Sequence, residues 1–437
     1  MDRFEPHSHT HYSNIRLIDS INKPKDLVNR AIELGLKGIA ITDHECISAS
    51  ILLNKYQKEI SEKYPYFKIA LGNEIYLVDT RNVNQKYYHF ILIAKDKIGH
   101  RQLSELSSRA WMQSYYDRGL ERVPTLKSEL IEIVSKNPGH LIATTACIGG
   151  ELSSAVLEME KARIIGDQEA AAAAYLQITS FIDLMKQLFK DDFYIECAPA
   201  KSKDQILVNK KLVDIARFYN IKMVIGSDAH YLKKEDRYIH KSYLNSKGGD
   251  REVDLFYEYA YLQSEEEIID NLTPSIVTEY EKMCNNSIEI YNKIEVYDLA
   301  HNQVIPSVEV KDYKKYEDNS LSNYPILHDM KISDDIYERY WINECLIKLK
   351  SIGKDNDTYL KRLEEEADIK RTVGEKLGTN MFKYPITLQH YVDLFWNCGS
   401  MVGAGRGSSC SGLNHYLLGI TQLDPIKWNL PFWRLGL

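Results

Sequence analysis

The sequence predicts an α/β fold over its first half, and three observations support this prediction. Short apolar segments alternate with longer amphipathic ones over about the first 240 residues, as strands and helices do in βα units. Apolar strands between amphipathic helices indicate a parallel sheet. Six or seven such units in about 240 residues match the size of a (β/α) barrel. A doubly wound open sheet produces the same local pattern and stays open as the alternative.

The first unit shows the pattern in detail. Pro24 is predicted to open a helix in which apolar residues such as Leu27 and Ala31 recur at helical spacing, and Gly35 ends this helix. Residues 39–42 then form a short buried strand. Five later segments repeat the apolar pattern of this strand: 68–72, 90–94, 141–144, 193–195 and 222–225.

The rest of the chain is predicted to be mainly helical. The alanine-rich run 170–175 favours an exposed helix, because alanine is the best helix former. Residues 265–300 and 336–398 are also helical in character. The stretch 304–335 contains two prolines and many polar residues, as is typical of a connection between domains. We therefore predict a barrel over 1–250, a helical connection over 251–335 and a further domain over 336–437.

The composition argues against several classes of protein. The formal charge of −7 argues against a chain that holds nucleic acid through bulk positive charge. The seven cysteines are odd in number and widely spaced, which is typical of reduced thiols rather than of a disulfide framework. No run approaches the ~20 apolar residues that a membrane span needs. We therefore expect a cytoplasmic protein without a membrane partner.

Residues that can bind metal lie at or near the ends of the predicted strands. His7 and His9 are two positions apart, as are Asp228 and His230, and a strand places such residues on one face. Imidazole and carboxylate together suit Zn²⁺, Mn²⁺ or iron rather than Ca²⁺. The other candidates at or just after a predicted strand are Asp43, His44, Glu74 and Cys147. In βα barrels, functional side chains gather at the carboxyl ends of the strands.

Other interpretations of these residues stay open at this point. An isolated histidine is more often a surface or hydrogen-bonded core residue than a ligand, and this interpretation is kept for the histidines at 100, 140, 240, 301, 328, 390 and 415. His89 is an exception to the pattern, because it precedes its apolar segment 90–94. Cys147, judged by residue type alone, is a small buried apolar residue. The joint pattern nevertheless favours one polynuclear metal site.

Four motifs of this series resemble those of a known family. His7-Ser8-His9-Thr10, Ile41-Thr42-Asp43-His44, Gly72-Asn73-Glu74 and Gly226-Ser227-Asp228-Ala229-His230 look like the successive motifs of the PHP (polymerase and histidinol phosphatase) domain. The resemblance covers roughly residues 1–245. It implies a distorted (β/α)₇ barrel that holds up to three metal ions, here zinc or manganese. The ligand positions that it implies are His7, His9, Asp19, His44, Glu74, His89, Cys147, Asp228 and His230.

The resemblance also implies the chemistry of the site. A metal cluster of this kind lowers the pKa of a bridging water from ~15.7 toward neutrality and polarises a phosphate oxygen, which serves phosphoester hydrolysis. No catalytic side chain is assigned beyond the metal-bound water. Cys147 would bind as a thiolate. Asp19 has an alternative role as a helix or turn cap before Ser20, because its spacing from His9 is longer than the usual pattern.

A second motif lies near the C-terminus. The string Gly405-Arg406-Gly407-Ser408-Ser409 precedes an apolar, helix-like run over 413–420. Glycines allow backbone amides to approach phosphate oxygens, and a following helix presents free N–H groups and the positive end of its dipole. Arginine and serine add charge-assisted hydrogen bonds. A tight turn before a core helix is the alternative interpretation.

The longer C-terminal region resembles the palm entry of C-family replicative DNA polymerases, the family of the bacterial DNA polymerase III alpha subunit. This resemblance covers residues 359–366 and the stretch from Gly405 to Pro425. In that family a PHP domain precedes the palm, in the same order as here. By resemblance, Arg406, Ser408 and Ser409 contact the incoming nucleoside triphosphate. The nucleotide-binding set is therefore Gly405, Arg406, Gly407, Ser408 and Ser409.

The sequence departs from this family at one important point. No Asp-x-Asp motif follows Asp424, although two-metal nucleotidyl transfer needs such carboxylates. We therefore expect the N-terminal part of a polymerase, with an incomplete palm over 336–437, that does not polymerise by itself. Mg²⁺ would serve polymerisation only in a complete palm. Expected partners are a DNA primer–template and dNTPs in the full-length context, and a complementing C-terminal chain or replisome subunits.

Three hypotheses about function follow. The first is the N-terminal part of a replicative polymerase whose PHP site serves phosphoester hydrolysis or 3′–5′ exonuclease proofreading. The second is a stand-alone PHP phosphoesterase for a small phosphomonoester, and the third is a metal-stabilised scaffold without catalysis. The phosphate-loop region favours the first hypothesis, since a small phosphatase has no use for residues 336–437.

Overall fold

The computed structural model divides the chain into two compact units, Met1–Ala300 and His301–Leu437. The structure describes residues 1–15, 17–82, 85–117, 119–246, 257–302 and 304–434. The boundary between the units falls inside the predicted connection 251–335, so this segment contributes to both units rather than standing apart from them. No helix in these described ranges is long and apolar enough to cross a membrane.

Unit 1 is built on a sheet whose strands are nearly all parallel. In chain order its described strands are β1 (Phe4–Glu5), β2 (Gly38–Ile41), β3 (Lys68–Val78), β4 (Tyr88–Ala94), β5 (Tyr115–Asp117), β6 (Leu120–Arg122), β7 (Pro124–Leu126), β8 (Leu141–Thr144), β9 (Phe193–Cys197) and β10 (Lys222–Ile225). The main sheet has the order β1-β2-β3-β4-β8-β9-β10, while β7 pairs with β3 and β5 pairs with β6 in a separate hairpin. β4 is antiparallel to both of its neighbours, β3 and β8.

The sheet curves until its first and last strands meet. Ser8, just beyond β1, forms a parallel bridge with Ala229, just beyond β10. The backbone N–H of His9 donates to the carbonyl of Ala229 at 3.0 Å. These contacts give a nearly closed barrel of seven strands, as the predicted distorted (β/α)₇ fold requires. They rule out the open doubly wound sheet, whose edge strands do not meet.

Strand alternation sorts the side chains into two layers. In β4, Ile91 and Ile93 belong to an inner cluster with Phe4 and Val224, whereas Phe90 and Leu92 pack outward against helices. Successive strand residues point to opposite faces, so each strand contributes to both layers. At the amino ends of the strands Ile290 and Ile294 join the inner cluster and close the barrel. The opposite end, where the carboxyl ends of the parallel strands lie, carries the polar residues.

Helices cover the outside of the barrel. The described helices of unit 1 are α1 (Pro24–Glu33), α2 (Ser50–Ser61), α3 (Lys97–Met112), α4 (Lys127–Lys136), α5 (Glu151–Ile165), α6 (Gln168–Phe189), α7 (Lys203–Tyr219), α8 (Arg237–Leu244), α9 (Glu265–Leu272) and α10 (Tyr280–Lys293). α1 begins at Pro24, which needs no N–H partner at the first helical position. The alanine-rich run lies within α6, and most of its residues are exposed.

Unit 2 is helical in its described part. Its helices are α11 (Pro325–Ile332), α12 (Ile336–Ser351), α13 (Asp357–Leu377), α14 (Lys383–Asn397) and α15 (Leu413–Leu417). They surround a core that contains the fully buried Trp341 and Leu363. Helix α11 lies within the predicted helical connection over 251–335. One expectation needs correction, because the helix expected over 413–420 already ends at Leu417, shortly before Gly419 with its positive φ of 76°.

Packing inside the barrel predicts a large difference between two chemically identical substitutions. Ile93→Ala removes methyl groups from a fully buried position and should lower the free energy of unfolding by about 2–5 kcal/mol. Ile164→Ala changes a residue that is 83% exposed and should alter it by less than about 0.5 kcal/mol. Urea denaturation followed by circular dichroism measures both. Equal losses for the two variants would contradict the inner position of Ile93.

Candidate metal centre

Strand direction explains how the predicted ligands reach one end of the barrel. Glu74 lies within β3 on its inner face, and His89 lies at the beginning of β4. Because β4 runs antiparallel to its neighbours, its beginning lies beside the carboxyl ends of the other strands. The position of His89 before its apolar segment, an exception in the sequence pattern, therefore places it among the other candidates.

Glu74 lies at the centre of the group. Its Oε2 is 2.7 Å from His44 Nδ1 and 3.3 Å from His9 Nε2. Its Oε1 is 2.9 Å from His89 Nδ1 and 3.6 Å from His7 Nε2. The Glu74 side chain is fully buried, so a single carboxylate in the protein interior faces four imidazole rings.

Asp228 provides a second carboxylate. Its Oδ1 is 3.2 Å from His7 Nε2, 3.1 Å from His9 Nε2 and 3.4 Å from His230 Nδ1. Asp228 follows β10 and adopts a positive φ of 45°, a conformation that costs free energy for a residue other than glycine. The chain therefore turns sharply at the point where it delivers this carboxylate to the centre.

Asp19 also points at the histidines. Its Oδ2 is 2.7 Å from His44 Nε2 and 3.2 Å from His230 Nε2. The turn before Ser20 is held by Asn14, whose Oδ1 accepts from the backbone N–H groups of Asp19 and Ser20. Asn14 therefore caps this turn, and the Asp19 carboxylate does not serve as the cap that was its alternative role.

Cys147 lies at the edge of the group, with its Sγ 3.5 Å from His89 Nδ1. Burial and the carboxylates of Asp228 and Glu74 raise the pKa of the thiol well above its usual value. A thiolate would thus need a cation beside it. All nine predicted ligand residues lie in one continuous cluster of contacts.

The donor set fits divalent metal ions. Three triads each have one ligand atom per residue within 4.8 Å of the others, and they are His9–His44–His230, His7–His9–Glu74 and His44–Glu74–His89. Both carboxylate oxygens of Glu74 and Oδ1 of Asp228 are buried without a well-formed hydrogen bond. Buried carboxylate oxygens are costly unless something positive compensates them. Cations between these atoms would do so.

Without metal, histidine rings that bind protons lie beside the carboxylates, and the two kinds of group shift each other's pKa. Burial opposes ionisation of Glu74, but the rings of His89, His44 and His7 lower its pKa well below the usual value. The carboxylates in turn raise the pKa of His44 and His7 well above the usual value, against the effect of burial. His9 differs, because burial and its histidine neighbours lower its pKa to about 3.

Residues around the ligands hold them in place. Asp43, the first residue of the Asp-His pair, points away from the centre and accepts hydrogen bonds from the Thr10 backbone N–H at 2.6 Å and from the Ser13 hydroxyl at 2.8 Å. The Ser13 hydroxyl also lies 3.2 Å from His9 Nδ1. Asp43 thus acts on the ligands through the loop that carries His9.

Glu196 was missed by the motif analysis, whereas His240 is a hydrogen-bonded core histidine, one of the two interpretations kept for it. Glu196 contacts His7 Nδ1 at 2.5 Å, and its sequence signal is an acidic residue inside an otherwise apolar strand. His240, considered a core or surface histidine, is fully buried and contacts the backbone carbonyl of Asp19 through Nε2 at 2.7 Å. No motif identifies His240, because its partner lies 221 positions away in the sequence.

Solvent reaches the centre on one side. The His89 side chain is 26% exposed, whereas the side chains of Glu74, His7 and His9 are fully buried. Cys147 and Asp228 line a small cavity of about 40 Å³. His89 therefore has a more exposed side chain than the predicted ligands Glu74, His7 and His9.

The glycine-rich loop of unit 2 is exposed. Gly405 and Gly407 have positive φ values of 136° and 61°, which glycine adopts without strain. Arg406 and Ser408 are exposed, whereas Ser409 is partly covered and its Oγ lies 2.9 Å from His415 Nδ1. The loop thus offers Arg406 and Ser408 to solvent.

The helix after this loop does not offer the free N–H groups that the sequence predicts. The Glu366 carboxylate accepts from the backbone N–H groups of Leu413 at 2.7 Å and Asn414 at 2.9 Å. Glu366 is itself fully buried and is paired with Arg362. These two N–H groups at the start of α15 are therefore not free for a phosphate, since a carboxylate from α13 already accepts from them.

Comparison with known proteins agrees with both halves of this description. Residues 5–200 match the PHP domain, and residues 331–435 match the bacterial DNA polymerase III alpha NTPase domain. A probable DNA polymerase YorL of Bacillus subtilis is 38% identical over 98% of this chain and 35% of its own length. A DNA-directed DNA polymerase of Bacillus phage SPbeta has the same values.

A more distant relative is the DNA polymerase III subunit alpha of Aquifex aeolicus. It is 27% identical over 98% of this chain and 34% of its own length. The chain therefore spans about a third of the length of the curated relatives that it matches.

The charges of the centre predict how metal affinity depends on pH. His7 and His44 keep their protons to higher pH than an ordinary histidine, and a metal must displace these protons. Affinity for Zn²⁺ should therefore keep rising with pH above the ordinary histidine pKa of about 6.5, with release of at least about one proton per ion. Calorimetric titration in buffers of different ionisation enthalpy measures both quantities. Affinity that does not vary with pH would contradict direct ligation by these rings.

Proposed function

We propose that this chain, which joins a PHP domain to the NTPase domain of bacterial DNA polymerase III alpha subunits, hydrolyses phosphoesters at its metal centre as a 3′–5′ exonuclease of a replicative polymerase. One observation carries the proposal. The imidazole and carboxylate groups of Glu74, Asp228 and their histidine neighbours converge at the open end of the barrel.

The residues at the centre would have distinct roles in this reaction. Metal ions, when bound, supply a Lewis acid for a phosphate oxygen and lower the pKa of a bound water. Glu74 and Asp228 face several histidines each and would hold ions close together. His89, the partly exposed member, would lie nearest to the substrate. Zinc and manganese both suit these donors.

The second unit supports a polymerase context over a free-standing phosphatase. Its match to the polymerase NTPase domain covers residues 331–435, which is about three quarters of unit 2. The loop carries Arg406 and Ser408 at the surface, where they would contact the phosphates of a dNTP. We propose a DNA primer–template and dNTPs as the substrates of the whole assembly. Residues 1–437 contain no Asp-x-Asp pair after Asp424, so by themselves they should not extend a primer.

A nuclease assay tests the proposal. The purified chain with Mn²⁺ or Zn²⁺ should shorten single-stranded DNA labelled at its 5′ end, one nucleotide at a time from the 3′ end. Asp228→Asn should reduce the rate at least about 100-fold, because it removes a charge that holds the metal. Arg406→Ala lies in the other unit and should leave this rate unchanged.

Three outcomes separate the hypotheses about the centre. Hydrolysis of p-nitrophenyl phosphate without DNA degradation would favour a small-molecule phosphatase. Bound metal without either activity would favour a structural scaffold. DNA degradation that Asp228→Asn does not reduce would place the nuclease outside the described centre.

Nucleotide binding tests the role of the second unit. Arg406→Ala removes a charge-assisted contact and should weaken binding of dATP about tenfold or more. Lys376→Ala, at an exposed position on α13, is the matched loss of one positive charge and should have little effect. Fluorescence titration with a labelled dATP measures both. Equal weakening by the two variants would show that binding depends on net charge rather than on the loop.

A further inference from the structure

Glu196 is a buried carboxylate that the predicted ligand set does not use. It lies on β9 and is only 2% exposed. Tyr194, two positions earlier, belongs to the inner cluster, so alternation directs Glu196 into the barrel as well. Among the described residues its carboxylate forms hydrogen bonds with two side chains, those of His7 and Thr144. Burial of a carboxylate costs free energy, so Glu196 must be compensated by the groups that it contacts.

The contact with His7 determines which ring nitrogen carries the proton. Glu196 Oε1 is 2.5 Å from His7 Nδ1. An ionised carboxylate only accepts hydrogen bonds, so Nδ1 must donate and the lone pair of the neutral ring lies on Nε2. Nε2 is the atom that faces the centre, at 3.0 Å from His9 Nε2 and 3.2 Å from Asp228 Oδ1.

The other oxygen of Glu196 is held by the neighbouring strand. The Thr144 hydroxyl at the end of β8 donates to Oε2. The backbone N–H of Ala146 donates to the same hydroxyl at 3.4 Å, which leaves its proton free to point at Glu196. Ala146 directly precedes Cys147 and has a positive φ of 56°. The loop that delivers Cys147 thus also orients Glu196.

A glycine provides the space for this carboxylate. A Cβ atom at Gly226, directly after β10, would lie 2.1 Å from Glu196 Oε1 and 2.4 Å from its Cδ. No side chain fits there unless Glu196 moves. Three strands therefore surround the Glu196 carboxylate. β8 ends at Thr144, which donates to it; β9 carries Glu196 itself; and Gly226, directly after β10, leaves room for it.

We propose that Glu196 is a positioning residue that holds His7 in the Nδ1–H form and thereby aims Nε2 of His7 at the metal centre. The proposal rests on the metal-dependent function proposed above. Carboxylates that accept from the outer nitrogen of a metal-bound histidine typically change metal affinity 10- to 100-fold when they are removed, which is about the effect expected here.

The test measures metal affinity in three variants of the full chain. Glu196→Ala should weaken Zn²⁺ binding by about 10- to 100-fold, as measured by competition with a chromophoric chelator. Gly226→Ala should also weaken it, because the new methyl group displaces the carboxylate without removing it. Glu196→Gln retains an acceptor for Nδ1–H and should fall between wild type and Glu196→Ala.

A matched control separates this role from general stability. Glu279→Ala removes another buried glutamate of unit 1, which pairs with Arg217 rather than with a ligand. It should leave Zn²⁺ affinity unchanged. Thermal unfolding of all variants without metal shows how far each is destabilised. A loss of stability in Glu196→Ala with wild-type Zn²⁺ affinity would mean that Glu196 only supports the fold, and would overturn the proposal.

The tautomer of His7 gives a second readout. Long-range ¹H–¹⁵N correlation spectra without metal, recorded at a pH high enough to leave the His7 ring neutral, should show His7 in the Nδ1–H form in the wild type and a shift toward Nε2–H in Glu196→Ala. An unchanged tautomer in Glu196→Ala would overturn the proposal. Failure of the wild type to bind Zn²⁺ or Mn²⁺ would instead contradict the proposed function, while these spectra would still decide the role of Glu196.

Discussion

The buried carboxylate of Glu74 needs positive charge around it, and much of unit 1 is arranged to provide that charge. An ionised group in a protein interior is costly unless it is paired. Four histidines from three segments of the chain face Glu74, each with a ring nitrogen within 3.6 Å of one of its oxygens. Without metal, protons on His7 and His44 supply the positive charge. The same geometry suits divalent ions. Folding and metal binding therefore both depend on positive charge beside the buried Glu74 carboxylate.

The reversed direction of β4 connects the architecture of the barrel to this requirement. A fully parallel sheet would place the beginning of every strand at the closed end, beside Ile290 and Ile294. Because β4 is antiparallel to β3 and β8, His89 lies instead at the open end, where its ring reaches Glu74 and remains partly exposed. A single change of strand direction therefore places this partly exposed predicted ligand beside the others.

Both units use a buried glutamate to hold a functional segment. In unit 1, Glu196 contacts the outer nitrogen of His7. In unit 2, Glu366 accepts from the backbone at the start of α15, directly after the glycine-rich loop. In each case a carboxylate inside a strand or helix accepts a hydrogen bond from a residue that is distant in the sequence, at the start of a helix in unit 2 and just beyond β1 in unit 1. Near these contacts, Arg406 and Ser408 in one unit and His89 in the other remain exposed to solvent.

The sequence by itself determined the α/β class, because strand periodicity is a local property of the chain. It also offered the candidate ligand residues, through the spacing of His7-x-His9 and Asp228-x-His230 and through the resemblance of its motifs to the PHP domain. Only the tertiary structure decided the rest. The role of His89 follows from the direction of β4, which depends on hydrogen bonds to two other strands. Glu196 forms a hydrogen bond with His7, which lies 189 positions away in the sequence. Glu366 accepts from the backbone N–H of Leu413, which lies 47 positions away. No local pattern specifies such partners, because they are selected when distant strands and helices pack together.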